Sequence, residues 1–265
     1  MSRYDAMFDR LRARNQGAFG AFLMLGDPDK ATSARLLAAA ADGGADMIEV
    51  GIPYSDPVAD GPVIQLAAQR ALAAGARVDD AFDLIRDFRA VYPDVPVGIL
   101  TYANLVIARG LDRFCADAAA AGADSLLVAD VPSLEAAAFS GSAKAANLDF
   151  VMIAAPNTPA AVLERIAALS SGYTYCVARA GVTGTSDALT LDHDALFAGL
   201  KAAGAPPPVL GFGISSPAQV TQALATGAAG VIAGSAIVRL IEDEADAAEP
   251  IRDFVASMKA ATARA

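Results

Sequence analysis

The chain has 265 residues, 55% of them hydrophobic and 19% charged, with a formal net charge of −10. That length suits one α/β barrel or two small domains, and the acidic balance excludes nucleic acid or an anionic membrane surface as the expected partner. Cys115 and Cys176 lie far apart without metal-ligand spacing, no apolar run reaches the roughly 18 residues that span a bilayer, and the opening Met1-Ser2-Arg3-Tyr4-Asp5 lacks a signal-peptide core, so a cytoplasmic protein with reduced thiols is expected.

Tyr4, Met7, Phe8 and Leu11 fall at helical spacing and predict a leading helix over Ser2 to Arg14. Ala18 to Leu25 reads as a first strand, ending at Gly26-Asp27-Pro28, and Ala31 to Ala41 as an alanine-rich helix closed by Gly43-Gly44. Asp46 to Ile52 is the second strand. Two helices follow it, Val63 to Ala74 and Val78 to Val91. Strands at Val97 to Thr101 and Ser125 to Ala129 alternate with helices at Leu111 to Ala121 and Leu134 to Ala146. The fifth strand, Asp149 to Ala154, leads to a helix at Ala160 to Ser170, and the sixth, Tyr173 to Ala178, to one at Asp194 to Ala203. Val209 to Gly211 and Pro217 to Thr226 form the seventh pair. Gly230 to Ala233 is the eighth strand, followed by helices at Ser235 to Glu242 and Glu249 to Ala261.

Strand and helix alternate without a break in composition, which implies a parallel sheet. Eight units at this length predict a single (β/α)8 TIM barrel over residues 1–265, with an extra N-terminal helix and extra helices after strands two and eight. A doubly wound open sheet is the runner-up, but no Gly-x-Gly-x-x-Gly follows the first strand.

In such barrels the site lies at the carboxyl ends of the strands. The second strand carries Glu49 among apolar neighbours on both faces, as expected of a strand covered on both sides. Burial raises a carboxyl pKa, which suits a general acid or base near neutral pH, while an ion-paired structural Glu fits the same pattern. Asp60 precedes Gly61-Pro62, so it reads either as a helix N-cap or as a second carboxylate above the barrel mouth. The sixth strand alternates Tyr173, Tyr175, Val177 and Arg179 on one face, then opens into a long connection from Gly181 to His193, the type of loop that serves as a lid. Gly211-Phe212-Gly213 and Ala233-Gly234-Ser235 each place glycine before a helix start, in the two loops where barrels bind phosphate.

Absences narrow the chemistry. Lys30, Lys144, Lys201 and Lys259 all miss the strand ends, which argues against a Schiff-base aldolase. His193, the only histidine, is expected to be solvated or capping, and one His with scattered carboxylates makes no transition-metal set. What remains is carboxylate acid-base chemistry on a phosphorylated substrate.

The run Glu49-Val50-Gly51-Ile52-Pro53-Tyr54-Ser55-Asp56-Pro57-Val58-Ala59-Asp60-Gly61-Pro62 closely resembles the signature of the tryptophan synthase α subunit family. Leu100-Thr101-Tyr102-Ala103-Asn104, Val128-Ala129-Asp130-Val131-Pro132, Ala180-Gly181-Val182-Thr183-Gly184 and Gly211-Phe212-Gly213-Ile214-Ser215-Ser216-Pro217 resemble the same family in the same order. The resemblance runs from about Phe8 to about Glu242. It implies retro-aldol cleavage of indole-3-glycerol phosphate to indole and glyceraldehyde 3-phosphate, in the last steps of L-tryptophan biosynthesis.

By the same resemblance Glu49 is the general acid and base, Asp60 stabilises the indole N–H, and Tyr175 positions the substrate. Thr183, Gly184, Gly213, Gly234 and Ser235 would hold phosphate. Phe22, Leu100, Leu127, Phe212 and Ile232 would line the indole pocket, positions that equally suit plain barrel core. The implied partner is a β subunit in an αββα complex, and the pyridoxal phosphate (PLP) belongs to that partner, none to this chain. Asp56, Pro57, Tyr102 and Asn104 would face it from the loops Pro53 to Asp60 and Tyr102 to Arg109, and Arg179 would belong with the closing loop. The chain departs from the family at Met24, often Thr, and at Ala178, where Ser commonly precedes Arg179. Rival readings are another phosphate-binding barrel, such as indole-3-glycerol phosphate synthase or a sugar-phosphate isomerase, a silent activating partner, or a stand-alone indole-releasing lyase.

Overall fold

The computed structural model describes residues 2–177, 193–211, 213–243 and 246–264. Helix α1 (Arg3–Ala13) starts at a capping box in which the Ser2 side chain accepts from the Asp5 N–H and Asp5 answers the Ser2 N–H. Strand β1 (Ala18–Met24) and helix α2 (Lys30–Asp42, capped by Asp29) follow. After β2 (Met47–Gly51) come α3 (Pro62–Ala73) and α4 (Val78–Val91). β3 (Val97–Thr101) leads to α5 (Ala103–Arg109) and α6 (Leu111–Ala121), and β4 (Ser125–Val128) to α7 (Ala136–Ala145). The fifth stave is β5 (Asp149–Phe150) with β6 (Ile153–Ala154), followed by α8 (Ala160–Leu169). β7 (Thr174–Val177), α9 (Asp194–Ala202), β8 (Pro208–Gly211), α10 (Pro217–Ala225), β9 (Gly230–Ala233), α11 (Ser235–Asp243) and α12 (Ala248–Ala260) complete the order.

All strand pairs are parallel, in the order β5-β4-β3-β2-β1-β9-β8-β7-β6. The two edge strands are consecutive pieces of one segment, so the sheet curls until its ends meet through the chain itself. Across that segment the Val151 N–H bonds Leu126 O on the β4 side, and the Tyr175 N–H bonds Met152 O on the β7 side. The strand expected over Asp149 to Ala154 is thus divided at Val151-Met152, where the backbone turns from one neighbour to the other. The expected barrel and its extra helices after β2 and β9 are present.

A second correction concerns residues 103–109, read above as part of a loop: they form α5. Its first N–H is capped by Asp130 Oδ1 at 2.8 Å, from the loop after β4, 27 residues away. A cap supplied at that distance leaves no local signature.

The strands alternate between two apolar layers. Outward residues such as Phe19, Leu23, Ile48, Val50, Ile99 and Leu126 pack under the helices. Inward residues such as Phe22, Met47, Leu100, Leu127, Tyr175 and Ile232 fill the barrel, which is a packed core rather than a pore. Helix α1 closes the amino-terminal end: Tyr4, Met7, Phe8 and Leu11 join the inner layer, and the Tyr4 ring lies 5.3 Å from that of Tyr173. Beside it Asp124, buried, accepts from Arg3, Arg89 and the Val97 N–H. The opposite end remains for chemistry. Among the described residues no helix is long and apolar enough to cross a membrane.

Candidate active site

Glu49 projects inward from the middle of β2, level with Phe22 on β1 and Gly98 on β3. It is 2% exposed. One oxygen, Oε1, accepts from the Tyr173 hydroxyl at 3.0 Å; the other, Oε2, is buried and has no hydrogen-bond partner among the described residues. Burial disfavours the carboxylate and pushes Glu49 up to about 8, against the Tyr173 hydrogen bond and with help from the charge of Asp60. At neutral pH this side chain is mostly a neutral acid, its proton available at Oε2.

Asp60 lies at the end of the loop after β2, just before Gly61 caps α3 without a side-chain bond. The N-cap role considered for Asp60 therefore falls to Gly61. Asp60 is half-buried, and desolvation raises it to about 6, opposed by a hydrogen bond from Tyr102. Two carboxyls on one short segment thus have opposite protonation states at pH 7, the arrangement that separates an acid from an electrostatic partner.

Tyr175 joins them from β7. Its hydroxyl feels the charges of both Glu49 and Asp60 and, buried, is held well above the usual tyrosine range. Its ring crosses β8 over Gly211, where a Cβ would overlap the ring and hydroxyl. Glycine is required there for close approach. Phe22, Leu100, Leu127 and Ile232 belong to the same inner cluster and form the apolar surroundings. Ala129 and Ile153, partly buried against that cluster, were not singled out in the sequence. Their alternation with Leu127 and Val151 was the signal available. Met24 is buried in this layer, and with Phe22 it fills the space above Gly51 that a side chain there would occupy.

At the other side of Phe22 stands the start of α11. The Ile237 and Val238 N–H groups bond Gly234 O, so those of Ser235 and Ala236 have no acceptor within the helix. Phe22 packs beside Gly234, which links this N-terminus to the carboxylate region. Helix α10 is different: its Ser216–Gln219 capping box satisfies the Gln219 N–H, and Gln219 Oε1 takes the Ser215 and Ser216 N–H groups. Only α11 of this pair offers a helix end for an anion; the turn at Gly213 (φ 77°) lies in the loop between β8 and α10.

Of the remaining positions, Asp56 and Asn104 are exposed, Pro57 is half-buried, and Tyr102 is buried at 2% exposure. Phe212, Thr183, Gly184, Arg179 and Ala178, with most of the closing loop, lie outside the described residues. His193 is not solvated as expected, though it does stand at the N-cap position of α9, where its carbonyl accepts from the Phe197 N–H. It is buried, stacks on Phe197 with ring centroids 5.5 Å apart, and makes no side-chain cap bond to α9. The four lysines all sit on helices, α2, α7, α9 and α12. Lys30 and Lys259 are committed to Asp80, Asp83 and Asp46.

The family model described as tryptophan synthase alpha chain matches residues 8–263. The sequence is 49% identical over 268 residues to the tryptophan synthase alpha chain of Aeromonas salmonicida, covering 100% of both chains. It is 48% identical over 266 residues to that of Shewanella amazonensis, covering 99% of this chain and 100% of the other. Among solved structures, tryptophan synthase from Mycobacterium tuberculosis superposes with a TM-score of 0.90 at 32% identity, over 100% of this chain and 99% of that one. Tryptophan synthase subunit alpha from Legionella pneumophila gives 0.89 at 31%, over 99% and 98%.

Proposed function

The chain belongs to the tryptophan synthase alpha chain family, a lyase family that cleaves indole-3-glycerol phosphate to indole and glyceraldehyde 3-phosphate in tryptophan biosynthesis, and from this premise we propose how its residues divide the work. Glu49 donates its proton from Oε2 to indole C3. The ring becomes an iminium-like electron sink, and the same carboxylate then takes the proton of the glycerol hydroxyl as the carbon–carbon bond breaks. One group serves both steps because proton and carboxylate alternate on a single oxygen. Asp60, ionised, accepts from the indole N–H and balances the positive charge that grows on the ring. Tyr175 packs the substrate against them, and the apolar layer of Phe22, Leu100, Leu127, Ala129, Ile153 and Ile232 surrounds the indole.

The phosphate is held at Gly213, Gly234 and Ser235 by backbone N–H groups and the α11 dipole, together with Thr183 and Gly184, while Phe212 belongs with the indole pocket. Those dipoles supply the positive potential that a chain of net charge −10 otherwise lacks. The chain works beside a β subunit that holds the PLP, with Asp56, Pro57 and Asn104 on the face turned toward it. The helical positions of all four lysines support a site that forms no imine in this chain.

The observation that carries this reading is the buried Glu49 carboxyl, with one oxygen anchored by Tyr173 and the other without a partner among the described residues. Indole release from indole-3-glycerol phosphate, measured with and without a β subunit, tests it. Glu49→Gln is expected to remove turnover in both conditions while phosphate affinity persists. Near-normal turnover in that variant would overturn the assignment.

A further inference from the structure

Asp60 reaches its charged form against burial, and the group that opposes burial comes from the next stave. Tyr102 follows β3 and is 2% exposed. Its hydroxyl oxygen accepts from the Ala59 N–H at 3.2 Å and is also hydrogen-bonded to the Asp60 carboxylate. An amide N–H is only a donor, so it occupies a lone pair of the hydroxyl and leaves the phenolic proton for Asp60.

The ring has little freedom to turn away. Tyr54 lies against it, with ring centroids 5.3 Å apart and planes at 30°, and the Tyr54 hydroxyl accepts from Asn104 Nδ2 at 2.7 Å. The backbone after Tyr102 is pinned by the bond from the Ala103 N–H to Asp130. We propose that Tyr102 is a positioning residue that fixes Asp60 as an oriented carboxylate for the substrate, acting through that single donated proton. This deepens the role given to Asp60 above and rests on it.

Among the described residues, the groups facing Asp60 are Glu49 from β2, Tyr175 from β7 and Tyr102 after β3, and Asp130 faces Tyr102 in turn. All are neutral or negative at pH 7. Among the described residues, Tyr102 is the one whose hydrogen bond favours the charged form of Asp60. Removing its hydroxyl therefore raises Asp60 further into the neutral range.

The test pairs Tyr102→Phe with a ¹³C-carboxyl titration of the aspartate-labelled full chain, the Asp60 signal being identified by its loss in Asp60→Asn. The Asp60 midpoint is expected to rise by about one pH unit. The acid limb of kcat/KM for indole release should move with it, giving about a fivefold loss at pH 6 and recovery to within about twofold at pH 8. A purely structural role would lower the rate equally at every pH. An unmoved midpoint, or a parallel loss across the profile, overturns the proposal. Should the Phe variant fail to fold, 3-fluorotyrosine at position 102, a stronger donor, is expected to move the midpoint down, and no movement there is equally fatal. If Asp60→Asn keeps full activity, the catalytic reading of Asp60 fails by itself, and the titration midpoint still decides what Tyr102 does.

Discussion

Glu49→Gln should stabilise the fold even as it removes turnover. The carboxyl rises from 4.5 to about 8 in the folded chain. The folded state therefore keeps a proton that the unfolded chain releases above about pH 4.5. Linkage fixes the sign: this group's contribution is fully present below the unfolded pKa and is lost as pH rises toward the folded one. At about 1.36 kcal/mol per unit, the loss is about 3 kcal/mol at pH 7 and about 5 kcal/mol above pH 8. Glutamine is nearly isosteric with the protonated acid, keeps a carbonyl to accept from Tyr173, and has no proton to lose. Its advantage over the wild type should be near zero at pH 4.5 and grow by about 1.4 kcal/mol per pH unit up to about pH 8. Urea unfolding of both chains between pH 4.5 and 8.5 measures this directly. A difference that is flat with pH, or a variant less stable at pH 8, would refute the buried neutral acid and the mechanism built on it.

Asp60→Asn should lower the cleavage rate by about 10²–10³, the scale of one lost electrostatic partner, and a single-turnover rate equal to wild type would contradict that. Gly211→Ala would place a Cβ in the Tyr175 ring. It should lower kcat/KM by at least about tenfold through displacement of the substrate platform, and a normal kcat/KM would show that Tyr175 can shift without consequence. Arg89, which donates to Gly122 O, Tyr92 O, Val95 O and Asp124, anchors the closed end of the barrel. Arg89→Ala should cost about 3 kcal/mol in urea unfolding while leaving kcat within about twofold, and a matched loss of kcat would tie that end to the chemistry.

Much of the architecture was readable because short apolar strands and longer alanine-rich helices alternate with clear punctuation. The helices at Val78–Val91 and Leu111–Ala121 and the strands at Val97–Thr101 and Gly230–Ala233 have the predicted limits. α5 escaped because only Val106 of its residues is buried and its cap comes from Asp130 on another loop. The burial of His193 was not legible because it depends on stacking against Phe197 and on the packing of the barrel around it, which local polarity does not report.

By itself the amino-acid order determined the strand-helix period, the inward direction of Glu49 from the alternation of its strand, and the family signature around it. These are properties of neighbours along the chain. The tertiary structure decided which carboxyl carries a proton at pH 7, which oxygen of Glu49 is tethered, and which tyrosine restrains Asp60. Glu49 meets Tyr173 across 124 residues and Ala59 meets Tyr102 across 43. Desolvation and hydrogen bonding at those distances along the chain exist only once the barrel has closed.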